Sequence, residues 1–128
     1  MAMTAPEQAQ PRASASSPGA DAPGAATTDA DGDHSYEIVS PVPADGVDMW
    51  RLAVESQTLD ANSRYAYVLW CRDFADTSVI ARRSDGLAVG YVTGYLRPQA
   101  GSTLLIWQVC VDPVARGAGL AGRLLDAV

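Results

Sequence analysis

Residues 103–122 read TLLIWQVCVDPVARGAGLAG, and the rest of the chain can be placed around them. The first nine are nearly all apolar and end in V-C-V, which predicts a central strand covered on both faces. Asp112-Pro113 ends that run, and the glycines at 117 and 119 lead into LAGRLLDAV, which predicts the start of a helix. A turn from a strand into a helix exposes backbone N–H groups that have no intrahelical partner, and the helix dipole adds partial positive charge there. Gly117 and Gly119 let the backbone approach a ligand without a clashing Cβ, and Arg116 adds a permanent cation. This is the chemistry of a diphosphate cradle.

Two patterns overlap in this turn. Read from Gly117, the letters G-A-G-L-A-G match the dinucleotide fingerprint G-x-G-x-x-G. A dinucleotide site would place those glycines after the first strand of a βαβ unit, with an acid ~20 residues on to hold the ribose. Here they follow a fourth predicted strand, and the sequence carries only six residues after Gly122. Read from Arg116, the letters are R-x-x-G-x-A. Gly122 then falls one turn into the helix, where it is expected to allow close packing on the sheet.

Working outward, residues 35–40 (SYEIVS) alternate polar and apolar and predict a strand. In VPADGVDMWRLAVES, Val47, Trp50 and Val54 recur at helical spacing, with Asp45 and Asp48 near the start, where acids suit the dipole. LDANSRY is a polar loop in which Asn62 or Ser63 can cap the next helix. That helix is RYAYVLWCRDF, with Tyr65, Val68, Leu69 and Arg72 as its stripe. TSVIARR predicts a strand and S-D-G, residues 84–86, a hairpin turn. LAVGYVTGYL follows as a long strand whose Gly90 and Gly94 mark a bulge or a close backbone approach. RPQAGS turns the chain into the apolar strand. The order is β-α-α-β-β-β-α, with no internal repeat, and packs as a twisted sheet with helices on its faces.

Composition narrows the chemistry. Residues 1–35 contain no Val, Ile, Leu, Phe, Trp or Tyr, so they cannot bury enough apolar surface to offset the entropy of ordering. They are expected to form a disordered acidic arm rich in Ala, Pro and Gly, ahead of one domain at 36–128. The arm holds five acids against Arg12, so most of the net charge of −6 lies there. No basic stripe exists, which makes nucleic acid a poor partner. No segment approaches transmembrane length, and no apolar N-terminal run resembles a signal peptide. A cytoplasmic protein with free Cys71 and Cys110 is expected, without a membrane partner. All nine basic residues are Arg, which excludes a catalytic lysine. The single histidine, His34, lies at the edge of the arm, so a histidine metal site or a Ser–His–Asp triad inside the domain is not expected.

The run from Arg116 to Ala121, placed after the fourth strand, resembles the acyl-CoA motif Q/R-x-x-G-x-G/A of the Gcn5-related N-acetyltransferases (GNAT). The preceding element order also fits that superfamily. A narrower resemblance covers nearly all of residues 36–128. Residues 58–82 (TLDANSRYAYVLWCRDFADTSVIAR), GYVTGYLRP and LIWQVCVDPVARGAGLAGRLLDAV are similar to the diaminobutyrate acetyltransferases of ectoine synthesis. The pattern L-D-x-N-S-x-Y, followed by C-x-D-F-x-D-T and then W-Q-V, is more specific than the CoA loop. The resemblance implies an α/β (α+β) fold with a GNAT-type mixed twisted sheet and helices on both faces. It also implies acetyl-CoA as donor, with no metal, and L-2,4-diaminobutyrate, a small diamine amino acid, as acceptor at its 4-amino group.

On the same basis, the main chain of Val109, Cys110 and Val111 binds the pantetheine arm, with the Val109 N–H near the oxyanion. Arg116, Gly117, Ala118, Gly119, Leu120 and Ala121 hold the diphosphate. Asp60, Tyr65 and Trp107 line the amino-acid pocket, and Asn62 and Ser63 add polar groups. Asp60 is the candidate catalytic base. The bland alternatives remain open: helix capping for Asp60 and Asn62, and core packing for Trp107. Asp73 and Asp76 read as caps or solvent-facing acids. Cys110 lies in an apolar strand with no base nearby in sequence, and the superfamily transfers acetyl directly, so it is not expected to act as a nucleophile. In the family, later elements supply a tyrosine that protonates the leaving thiolate. This chain looks cut off inside its third helix, so the C-terminal part of the fold is expected to be missing. The apolar strand should then seek a partner, a homodimer among the possibilities. An acetyltransferase of another amine and a non-catalytic acyl-CoA-binding module are the competing readings.

Overall fold

A computed structural model describes residues 35–128. The expected arm lies outside the described residues, except Ser35, which is exposed. The strands are β1 (Glu37–Val39), β2 (Ser78–Arg82), β3 (Ala88–Arg97) and β4 (Ala100–Val111). The helices are α1 (Gly46–Ser56), α2 (Arg64–Asp73) and α3 (Leu120–Asp126). Short 3-10 turns at Pro43–Asp45, Ala75–Thr77 and Pro113–Ala115 precede α1, β2 and α3 respectively. The sheet order is β1-β2-β3-β4, with every neighbouring pair antiparallel.

The turns follow from their residues. Gly86 closes the β2–β3 hairpin at a positive φ of 89°, its N–H bonded to the Arg83 carbonyl at 2.8 Å. The β3–β4 connection is tighter than expected, because Arg97 pairs directly with Ala100 and the turn is reduced to Pro98-Gln99. Gly94 lies at a shift in the β3–β4 register, and a Cβ there would stand 2.8 Å from the Leu105 carbonyl oxygen.

The sheet is covered on both faces. On one face Met49, Leu52 and Ala53 of α1 and Tyr67 and Cys71 of α2 pack against Ile80, Tyr91 and Cys110. On the other, Leu120 and Leu124 of α3 pack with Ala115 against Val79, Ala81, Val89 and Val92. Arg82 ties the helical face to β2 by ion pairs to Asp45 and Asp48.

Four sequence expectations need correction. The buried stripe of α1 is Gly46, Met49, Leu52 and Ala53, whereas Val47 and Val54 are 57% and 45% exposed. Both sets have helical spacing, and the core selects the longer Met49 and Leu52, which are not branched at Cβ. In α2 the buried pair is Tyr67 and Cys71, and Tyr65 is 67% exposed. β4 is not central among the described residues: it lies at the sheet edge, with β3 on one side. Its apolar run reflects cover on both faces of its second half, where Cys110 packs towards α1 and Ile106, Val109 and Val111 towards α3. Gly122 is exposed and makes no close approach, since an added Cβ would meet nothing within 4 Å.

Candidate functional site

The site is built where the α1–α2 loop meets the second half of β4. The loop is pinned along its length. Gln57 ends α1 in the left-handed region, at φ 57°. The Ser56 hydroxyl donates to the Ala53 carbonyl at 2.7 Å and accepts from the Thr58 and Leu59 N–H groups, each at 3.3 Å. At the far end the Ser63 hydroxyl accepts from Ala66 N–H at 3.3 Å and caps α2. The capping role therefore falls to Ser63 and not to Asn62 or Asp60.

Between these ends the loop is held by buried side chains of the sheet face. Gln108 Nε2 donates to the Asp60 carbonyl at 3.1 Å. Gln108 Oε1 accepts from the Tyr67 hydroxyl at 3.1 Å and the Tyr91 hydroxyl at 2.9 Å. The Tyr67 oxygen in turn accepts from Asn62 N–H at 3.3 Å. Burial pushes the Tyr91 phenol far above its ordinary value, so it stays protonated and donates. The loop backbone is thus fixed, while the Asp60 carboxylate and the Tyr65 ring stay exposed. Asp60 has no side-chain partner among the described residues.

β4 is bulged at this point. Thr93 pairs with Gln108 but Gly94 pairs with Ile106, so Trp107 is the extra residue. A bulge re-aims the side chains beside it. Both Trp107 and Gln108 consequently reach α2: the Trp107 ring lies 5.7 Å from that of Trp70, within a cluster that includes Phe74 and Tyr95. Trp107 does pack, as the bland reading holds, yet its buried indole N–H has no hydrogen-bond partner. A buried donor without an acceptor is costly and uncommon in native folds.

Downstream of the bulge, Asp112 N–H donates to the Val89 carbonyl at 2.7 Å. Backbone groups alternate in direction along an antiparallel ladder, so those of Val109 and Val111 point away from β3. The Arg116 guanidinium takes the outward Val111 carbonyl at 3.2 Å, which folds the loop against the end of β4. Asp112 caps the following 3-10 turn by accepting from Val114 N–H at 3.0 Å. Gly117 and Gly119 then adopt φ 89° and 72°, and Gly119 leads into α3. Cys110 is a core thiol, bonded to the Leu52 carbonyl at 3.5 Å and pushed up to about 12 by burial, so it is not a nucleophile. Asp73 pairs with Arg72 at the surface, and Asp76 lies in the turn before β2.

The structure therefore ties the backbone at Asp60 and Asn62 to the second half of β4, next to Trp107, and joins residues 109–111 to the turn at 116–119 through Arg116, while Ser63 caps α2 and Tyr65 is exposed in its first turn. Sequence reasoning missed Gln108, Tyr67 and Tyr91 as parts of the site. The available signal was a single amide inside a nine-residue apolar run: such a group must be buried, and buried amides are bonded.

An open strand edge among the described residues thus runs into a positive-φ glycine turn, with a pinned polar loop at its bulge. The chain belongs to the acetyltransferase (GNAT) family, which it matches over residues 47–128. More narrowly, it is similar to proteins named L-2,4-diaminobutyric acid acetyltransferase. That of Streptomyces avermitilis is 56% identical over 91 residues, covering 71% of this chain and 51% of the relative. That of Marinococcus halophilus is 49% identical over 88 residues, covering 69% and 50%. The chain spans about half the length of the curated relatives it matches. A solved structure of the diaminobutyrate acetyltransferase EctA from Paenibacillus lautus, in complex with L-2,4-diaminobutyric acid and coenzyme A, aligns with a TM-score of 0.70 at 33% identity. That alignment covers 73% of this chain and 55% of the other.

Proposed function

We propose that the protein transfers the acetyl group of acetyl-CoA to the 4-amino group of L-2,4-diaminobutyrate, a step towards the osmolyte ectoine. The observation that carries this reading is the pinned loop, which holds its backbone still while leaving the Asp60 carboxylate and Tyr65 unengaged beside the β4 bulge. A small zwitterion with a second ammonium needs such a carboxylate.

Asp60 accepts the proton of the substrate ammonium, directly or through water, as base. The neutral amine adds to the thioester carbonyl, and the Val109 N–H, which faces the open edge, stabilises the oxyanion. Addition forms the C–N bond; collapse of the adduct restores the carbonyl and breaks the C–S bond, and the remaining ammonium proton passes to the departing sulfur, leaving the amide and the CoA thiol. The Val109 carbonyl and the Val111 N–H, which also face the open edge, pair with the pantetheine amides as an added strand does, while Arg116 holds the Val111 carbonyl. Residues 116–121 hold the diphosphate and so fix the thioester in place. Two free, buried thiols are in keeping with a reducing cytoplasm.

Incubation of the purified protein with acetyl-CoA and diaminobutyrate tests the reading. Release of free thiol with the acetyl group on N4, assigned by NMR, is the expected result. Acetylation at the 2-amino group, or no thiol release, would refute it.

A further inference from the structure

Gln108 is buried at 7% exposure, yet all of its observed bonds serve one arrangement. Its orientation is fixed by chemistry. The Asp60 carbonyl can only accept, so the atom facing it at 3.1 Å must be Nε2. Oε1 then faces the two tyrosine hydroxyls, both of which can donate. The Tyr67 oxygen receives Asn62 N–H, so its own proton is free to go to Gln108. Two links therefore run from one side chain of β4 to the loop: Nε2 to Asp60 directly, and Oε1 through Tyr67 to Asn62. Tyr91 steadies Oε1 from β3 without touching the loop. The preceding residue of β4 is Trp107, the bulge residue whose N–H lacks a partner.

We infer that Gln108 is a positioning residue of the amine site, setting the distance between the Asp60 carboxylate on the loop and Trp107 on β4 by clamping the backbone at Asp60 and Asn62. This rests on the proposed amine role of residues 60–65. Because both links end on the loop and none on residues 109–121, the effect is confined to the amine. The part that fixes acetyl-CoA hangs from the ladder to Val89 and from Arg116.

The test compares wild-type protein with Gln108→Leu and Gln108→Glu, reading KM for diaminobutyrate, KM for acetyl-CoA and hydrogen exchange at the Asn62 amide. Leu removes every bond, whereas an ionised Glu keeps acceptance from the tyrosines but cannot donate to Asp60. Both are expected to raise the amine KM about tenfold, as loss of a buried hydrogen bond does, and to leave the acetyl-CoA KM within about twofold. Exchange at Asn62 should quicken in Gln108→Leu. An unchanged amine KM in folded Gln108→Leu, or parallel rises in both KM values, would overturn the inference. If the Gln108 variants fail to fold, Tyr67→Phe cuts the Asn62 link alone and should give the same selective rise, and its absence counts against the inference. Wild-type protein inactive on diaminobutyrate would instead defeat the functional reading. Asn62 exchange then decides the clamp by itself: unchanged exchange in Gln108→Leu overturns it, and faster exchange supports it.

Discussion

Gly90 lies so close to Cys110 that a Cβ on it would stand 2.9 Å from the Cys110 carbonyl oxygen and 3.1 Å from Leu124 Cδ1. The first neighbour is backbone of the paired strand and cannot yield without disturbing the ladder that carries the site. Gly90→Ala should therefore lower stability by about 1–3 kcal/mol in urea denaturation. Gly122→Ala should move the other way, by about 0.5–1 kcal/mol, because its Cβ enters open space on a helix. Equal midpoints for the two variants would contradict the close approach.

Ser63 and Asp60 should separate stability from activity. Ser63→Ala removes the cap of α2 and should cost about 1 kcal/mol of stability. Asp60→Asn touches no described side-chain bond, so its melting temperature should match wild type. Its turnover of diaminobutyrate should fall about a hundredfold or more if Asp60 is the base. Wild-type turnover in Asp60→Asn would remove that role.

On the proposed assignment of residues 116–121, Gly119 bears on the donor and not on the acceptor. At φ 72° an alanine is strained by about 1–2 kcal/mol, although open space surrounds it. Gly119→Ala should raise the KM for acetyl-CoA and leave that for the amine unchanged. A selective change in the amine KM would contradict the assignment of residues 116–121 to the diphosphate.

Both thiols are buried, and each is pushed up from an ordinary 9.0 to about 12, chiefly by desolvation. Between those values the folded protein keeps protons that the unfolded chain loses, so stability falls as pH rises from about 9 towards 12. Below pH 9 the two states bind these protons equally, and stability does not depend on them. Cys71→Ala/Cys110→Ala should show a flatter alkaline limb in thermal melts. Slow reaction of the wild-type thiols with iodoacetamide at pH 8 is expected, and rapid labelling of folded protein would contradict their burial.

The local signals were legible where one residue type dictates the backbone. Asp85-Gly86 set the hairpin, the cap was narrowed to Asn62 or Ser63, and the apolar runs in residues 78–82 and 88–97 set the strands. The phase of the helices was not legible. Val47 with Val54 and Met49 with Leu52 offer competing stripes of equal period, and only tertiary packing chooses between them. The turn into α3 was readable from Gly117 and Gly119 because positive φ has a glycine signature. The clamp was not, because Gln108, Tyr67 and Tyr91 are far apart in sequence and meet only once β4 is bulged at Trp107.

The central claim is that a loop of fixed length, clamped to β4, measures the diamine. The most direct test is kcat/KM for diaminobutyrate against ornithine and lysine, which lengthen the side chain by one and two methylenes. A preference for diaminobutyrate of about tenfold or more per methylene is predicted. Equal or better turnover of ornithine would contradict the account.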